Sequence, residues 1–210
     1  MLGLLGGTFD PIHVGHLRLA IEVRERLSLD QVWLLPAPRP RLRGAPQVDP
    51  ETRLRLLSAA VEGVPGLAVD GRELDAAGPT RTVDTLDRVR AEQGQRPLCL
   101  IIGADAARRL GRWYAWERLT TLAHIVIARR PGARLPRKGP VAEHMAACHD
   151  DDPEALRRRP AGVIRVCDIP GLEVSATAIR ERLAAGRSVE FLVPEKVRQM
   201  LLSEGLYVRG

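Results

Sequence analysis

Six short apolar runs punctuate the chain, at Leu2–Leu5, Val32–Leu35, Leu67–Val69, Leu98–Ile102, Ile125–Ala128 and Val163–Val166. Each has the length of a strand and is continuous rather than alternating, as expected of strands buried on both faces. Between most of them lie longer segments whose apolar residues recur at helical spacing. The alternation predicts an α/β fold, a doubly wound parallel sheet covered by helices. The first helix is expected from about Val14 to Leu27, with Leu17, Ala20, Ile21 and Val23/Arg24 along its packing side and Ser28 and Asp30 ending it. A second starts at Asp49-Pro50, an N-cap candidate followed by proline in the first turn, and continues through Leu54, Leu57 and Val61 to Gly63. A third spans roughly Thr82 to Gln93. Helices near Ala176–Ala185 and Pro194–Ser203, with a turn at Gly186 between them, close the chain. The expected organisation is one domain over residues 1–210 with a small helical C-terminal part from about residue 175. From Arg130 to Pro160 the periodicity gives way to a proline-, glycine- and charge-rich stretch.

Composition narrows the class. With 210 residues of which 45% are apolar, the chain can bury a substantial core. No run approaches the roughly 18 apolar residues that cross a bilayer, and no basic leader precedes the first strand, so a cytoplasmic location is expected. Cys99, Cys148 and Cys167 are odd in number and widely spaced, which suggests neither a disulfide framework nor a metal knuckle. The net charge of +6 is carried almost wholly by arginine. Nucleic-acid binding would favour a basic face with interleaved aromatics, and aromatics make up only 3% of the chain, so anionic small molecules are the better match.

The segment Gly6-Gly7-Thr8-Phe9-Asp10-Pro11-Ile12-His13-Val14-Gly15-His16-Leu17 concentrates the candidate chemistry. It reads as the end of a strand, a glycine loop and a helix start. Two adjacent glycines let backbone approach an anion without an intervening Cβ, and the free N–H groups of a helix N-terminus carry partial positive charge. His13 and His16 are three apart and can face one point near that helix start. His-x-x-His also serves zinc, but no thiolate or clustered carboxylate stands nearby in sequence. The alternative roles are structural, with His13 capping a turn and His16 packing against the sheet.

Three further constellations carry paired readings. Gly103-Ala104-Asp105 follows the strand Leu98–Ile102 at the edge where open α/β sheets bind ligands; Asp105 either caps a helix Ala106–Leu110 or accepts hydrogen bonds from a nucleotide. Trp113-Tyr114 cannot share one helix face, so at least one ring is exposed or lines a cleft where it can stack on a base, core packing being the other use. Ser175-Ala176-Thr177-Ala178-Ile179-Arg180 brings two hydroxyls and a guanidinium to a helix start, either as a second anion site or as a plain cap. His149-Asp150-Asp151-Asp152 reads as a solvated charge run rather than a metal site.

On these motifs the chain resembles the HxGH-type nucleotidyltransferase superfamily, and Trp113, Tyr114, Glu117 and Leu119, Arg129-Arg130-Pro131-Gly132, Ser175-x-Thr177-x-Ile179-Arg180 and Leu206-Tyr207 narrow the resemblance to the bacterial nicotinate-nucleotide adenylyltransferases. The resemblance implies a Rossmann-like fold and transfer of AMP from ATP to nicotinate mononucleotide in NAD biosynthesis, giving nicotinate adenine dinucleotide and pyrophosphate. It implies catalytic roles for His13, His16 and Arg180, and ATP binding by these residues with Gly6, Gly7, Thr8, Phe9, Gly103, Asp105, Ser175 and Thr177. For the mononucleotide it implies Asp10, Arg43, Thr82, Trp113, Tyr114 and Arg130, Thr82 having an N-cap as its other use. Mg²⁺ is expected on the ATP phosphates with no protein metal site. The expected partners are the two nucleotides, with neither nucleic acid nor membrane, and homo-oligomerisation is left open. The chain departs from the family at Leu42, where a histidine is usual, leaving Arg43 with Arg39 or Arg41 to supply charge, and at Arg81, where an aromatic is usual.

Overall fold

In the computed structural model, which describes residues 1–38, 45–74, 80–150, 152 and 154–208, strands and helices alternate along the chain. Strand β1 (Leu2–Gly7) leads to helix α1 (Val14–Arg26), β2 (Gln31–Pro36), α2 (Pro50–Val61) and β3 (Leu67–Val69). Helix α3 (Thr82–Gln93) precedes β4 (Leu98–Gly103), and the short α4 (Ala104–Ala107) and α5 (Leu119–Leu122) precede β5 (His124–Arg129). Then come α6 (Pro140–Ala147), α7 (Ala155–Arg158), β6 (Ile164–Asp168), α8 (Ala176–Ala184) and α9 (Glu195–Ser203). The strands form one six-stranded sheet in the order β3-β2-β1-β4-β5-β6. Strand β4 lies parallel to β1, from Leu2 beside Leu98 to Leu5 beside Ile101, and parallel to β5, which is parallel to β6. The continuous burial of Leu2–Leu5, Leu98–Ile102 and His124–Ala128 is what parallel strands covered on both faces require. The expected α/β parallel fold is therefore the observed one.

Contacts group the chain into two compact units, and β1 and β2 each begin in the first and end in the second. The first unit comprises Met1–Leu5, Glu22–Trp33 and Thr80–Gly171. Its core is built on β4 and β5 with Val83, Leu86 and Val89 of α3. Two polar side chains anchor it. Arg90 donates to the carbonyls of Gly94, Arg96, Leu122 and Pro160. His124 is fully buried; its Nδ1 accepts the Val163 N–H at 3.1 Å, which leaves the proton on Nε2 to donate to the Arg159 carbonyl at 2.9 Å. Burial holds this imidazole below its usual pKa.

The second unit comprises Gly6–Ile21, Leu34–Pro79 and Leu172–Gly210. Helix α2 starts where expected: Asp49 accepts the Thr52 N–H at 2.9 Å and Pro50 opens the first turn. Of the expected run Leu54, Leu57 and Val61, Leu57 is buried and the other two are half-buried. The buried residues of α2 are Arg53, Leu56, Leu57 and Ala60, and Arg53 is completely so. The Arg53 guanidinium donates to the carbonyls of Thr8 at 2.6 Å, Ala37 at 2.7 Å and Pro38 at 2.9 Å, and its Nε to Val48 at 3.3 Å. A charged side chain is tolerated there because its donors meet carbonyl oxygens that would otherwise be stranded.

Two short helices, α6 and α7, occupy the stretch expected to be irregular. Helices of this length depend on what they pack against more than on local periodicity, so the pattern carried no sign of them. Before α7, Asp152 pairs with Arg158, and Asp150 lies 3.4 Å from Arg159. Among the described residues, no helix is long and apolar enough to cross a membrane.

Candidate functional site

The loop after β1 is shaped by a phenylalanine. Phe9 takes a left-handed backbone, φ 47°, and its ring is buried beneath Gly7, where a Cβ would stand 2.7 Å from ring atoms. Gly7 is therefore required by packing, whereas a Cβ on the exposed Gly6 would meet nothing within 4 Å. The two adjacent glycines thus have different reasons: one admits Phe9, and the other leaves bare backbone facing open space.

Helix α1 starts with the His13 carbonyl accepting the N–H groups of His16 and Leu17. The two imidazoles stack, with ring centroids 3.7 Å apart and planes inclined by 24°. His16 also receives the Phe9 ring edge-on at 5.1 Å. Gly15 makes the stack possible, since a Cβ there would stand 3.0 Å from His13 Nδ1 and 3.1 Å from Cε1. His13 is buried and His16 half-buried.

The same unit contains the second anion motif. Ser175 Oγ accepts the Ala178 N–H at 3.2 Å and caps α8, so the capping role is real. Arg180 donates from Nη1 to the Asp10 carbonyl at 2.6 Å and from Nη2 to Thr177 Oγ1 at 3.3 Å. Gln47, Thr177, Arg180, Glu181 and Tyr207 line a cleft of about 710 Å³, within the range of small-molecule sites.

Asp10 ties these parts together. It is buried, and its Oδ1 accepts the Tyr207 hydroxyl at 2.6 Å while Oδ2 accepts the Gln47 N–H at 3.0 Å. Burial, with Asp10 as partner, pushes the Tyr207 phenol well above its usual pKa, so it remains a donor. Arg53 holds the neighbouring Thr8 carbonyl. Sequence reasoning gave no role to Arg53 or Gln47 and noted Tyr207 only as part of a matching ending. Nothing local marks any of them, because Tyr207 meets Asp10 from 197 residues away.

The remaining described candidates lie in the first unit. Gly103 precedes α4, whose second residue is Asp105, and the Asp105 carboxylate pairs with Arg108 at 2.7 Å. The expectation that Asp105 caps a helix Ala106–Leu110 is thus overturned: α4 begins two residues earlier, and Gly103 stands at its N-cap. Thr82 is likewise not an N-cap; Arg81 takes that position without a side-chain cap bond, and Thr82 is the first helical residue. Tyr114 is 60% exposed and Trp113 half-buried, so at least one of the adjacent rings is exposed, as expected. Arg81, which stands where the resemblance has an aromatic, lies over the Tyr114 ring, 3.9 Å from its centroid. Arg129 is held by both oxygens of Asp168 at 2.5 and 2.7 Å, and Arg130 is half-buried. Arg43 and Leu42 lie outside the described residues.

Comparison with known proteins matches residues 4–182 to the cytidylyltransferase-like family. A protein of Methylococcus capsulatus named probable nicotinate-nucleotide adenylyltransferase is 43% identical over 100% of both chains. One of the same name from Halorhodospira halophila is 47% identical over 98% of this chain and 94% of its own. Among solved structures, a Plasmodium falciparum nicotinic acid mononucleotide adenylyltransferase complexed with NaAD aligns with a TM-score of 0.72 over 98% of this chain and 96% of that one, at 14% identity, which speaks to the fold alone.

Proposed function

The chain belongs to the cytidylyltransferase-like family and, within it, to the nicotinate-nucleotide adenylyltransferases; it transfers AMP from ATP to nicotinate mononucleotide, and we propose that His13, His16 and Arg180 are the residues that drive the transfer. The phosphate oxygen of the mononucleotide attacks the α-phosphorus of ATP in line. The bond to the bridging oxygen breaks, and pyrophosphate departs with the electron pair. No protein nucleophile is needed, so the protein's work is to position two anions and stabilise charge that moves onto the equatorial and bridging oxygens.

The observation that carries this assignment is the stacked His13–His16 pair in the same unit as Arg180 and Thr177. Stacked rings turn their edges to the same side, where one α-phosphate can meet both. The open space at Gly6 lets the chain's backbone join them. We assign Arg180, Ser175 and Thr177 to the departing pyrophosphate. Thr8 and Phe9 complete the loop, and Gly103 and Asp105 are assigned to the nucleoside of ATP. For the mononucleotide we assign Thr82, Trp113, Tyr114 and Arg130, with Arg43 as a further cation. Asp10 serves this site by fixing the loop through its buried carboxylate.

A divalent cation, Mg²⁺, fits as a companion of the triphosphate. The groups assigned here to phosphate are imidazoles, hydroxyls and a guanidinium, which suit phosphate oxygens rather than a hard cation, and each Asp10 oxygen accepts a hydrogen bond, from Tyr207 and Gln47. When bound, the ion neutralises triphosphate charge.

The test is pyrophosphate release from ATP and Mg²⁺ with nicotinate mononucleotide, nicotinamide mononucleotide or phosphopantetheine as acceptor. Release with nicotinate mononucleotide well above the other two is expected. Equal release with phosphopantetheine, or none with any acceptor, would refute it.

A further inference from the structure

Asp10 places a buried negative charge beside the arginine assigned to the pyrophosphate. Its Oδ2 is 3.8 Å from Arg180 Nη1, near enough for attraction and too far for a hydrogen bond. What keeps the pair apart is visible in the other contacts of the carboxylate. Tyr207 donates to Oδ1 at 2.6 Å and the Gln47 N–H to Oδ2 at 3.0 Å, so each oxygen has a donor that fixes the orientation of the carboxylate. Among the described residues, the Arg180 guanidinium donates hydrogen bonds to the neutral carbonyl of Asp10 and the hydroxyl of Thr177, and Arg180 lines the cleft beside Tyr207 and Gln47. We propose that Tyr207 is a positioning residue: its hydroxyl holds the Asp10 carboxylate off Arg180 and so keeps that guanidinium available to the terminal phosphates.

The physics is a competition for one cation. A buried carboxylate that loses a donor seeks another, because an unsatisfied buried charge is costly. The nearest replacement is Arg180, which a small rotation of the carboxylate would convert from 3.8 Å to a direct ion pair. An arginine committed to a buried carboxylate gives less to an incoming phosphate, since its charge is partly cancelled and its donors are occupied. The tyrosine suits this task because its phenol stays protonated and can only donate to the carboxylate. Tyr207 itself sits in left-handed backbone, φ 63°, after the turn at Gly205 that follows α9, so the C-terminal segment is bent to bring the hydroxyl to Asp10.

The role rests on the assignment of Arg180 to pyrophosphate, and two readouts separate them. Tyr207→Phe keeps the ring and removes only the hydroxyl. Its affinity for magnesium pyrophosphate, by titration calorimetry, is expected to fall about tenfold, the factor of one hydrogen bond to a charged group. The ATP kcat/KM falls by a similar factor, with the mononucleotide KM unchanged. Adding Asp10→Asn restores both, because a carboxamide has no charge with which to hold Arg180. A merely structural Tyr207 gives the opposite result, since the second change deepens the loss. Pyrophosphate affinity of Tyr207→Phe within about twofold of wild type, or a double variant no better than the single one, overturns the proposal. If Arg180→Ala leaves pyrophosphate affinity intact, the site assignment fails first. Absent turnover with these affinity changes present would count against the reaction and leave the positioning role standing.

Discussion

His13 and His16 lie face to face, with ring centroids 3.7 Å apart, so one helix start offers two imidazole edges as a single surface. Their separation of three residues permits this, and Gly15 between them favours it, because a Cβ there would stand 3.0 Å from His13 Nδ1 and make the ring shift.

Removing the His16 ring should cost catalysis far more than binding. His16→Ala is expected to lower kcat about 10²–10³-fold, as for other preorganised donors to transition-state charge, with a nearly unchanged KM for ATP. Steady-state kinetics decide the matter, and near-normal kcat would remove His16 from the chemistry.

Gly6, Gly7 and Gly15 should separate by the reason each is present. Gly6→Ala meets no atom within 4 Å, so the melting temperature should hold while the KM for ATP rises. Gly7→Ala drives a Cβ to 2.7 Å from the Phe9 ring and should destabilise the fold. Gly15→Ala lies in α1, where alanine favours helix by about 1 kcal/mol, yet it displaces His13; kcat should fall about ten- to a hundredfold at undiminished stability. Thermal melts paired with kinetics test all three.

Trp113→Ala should raise the KM for the mononucleotide about tenfold or more, the scale of one lost ring stack, and leave that for ATP alone. Equal loss toward both nucleotides would identify Trp113 as core.

Arg53 is a stability prediction. Its four carbonyl partners lie in the loops around Thr8, Ala37, Pro38 and Val48, and Arg53→Met strands them. A loss of about 3 kcal/mol or more is expected in urea unfolding. Arg53→Lys recovers little, since one ammonium cannot reach the same carbonyls.

His124 gives the pH dependence. The fold keeps it neutral below its usual pKa of 6.5, whereas the unfolded chain takes up a proton as pH falls through that value. The unfolded state therefore binds more protons, so the contribution of His124 is constant above 6.5 and is lost as pH drops. The melting temperature should decline between about pH 7 and pH 5, less steeply in His124→Gln.

The chain's apolar runs determined its strands, because a strand buried on both faces must be continuously apolar, and this pattern is local. Helix α3 was legible to the residue, and α2 opens on its capping Asp49 and Pro50, because caps and turns are written in adjacent positions. The candidate chemistry was equally local: glycines, His13 and His16 within one loop, and Ser175 to Arg180 within one helix start. Tertiary structure alone decided which charges are buried. Arg53 sits among leucines on a helix and reads as a surface residue, yet it is the side chain that holds the loops together, since only the folded chain supplies its carbonyls. Asp10 and Tyr207, 197 positions apart, meet because α9 and the turn after it return the chain to the first loop. Spacing records what one segment can present; the environment that sets a charge's partner belongs to segments that sequence proximity does not connect.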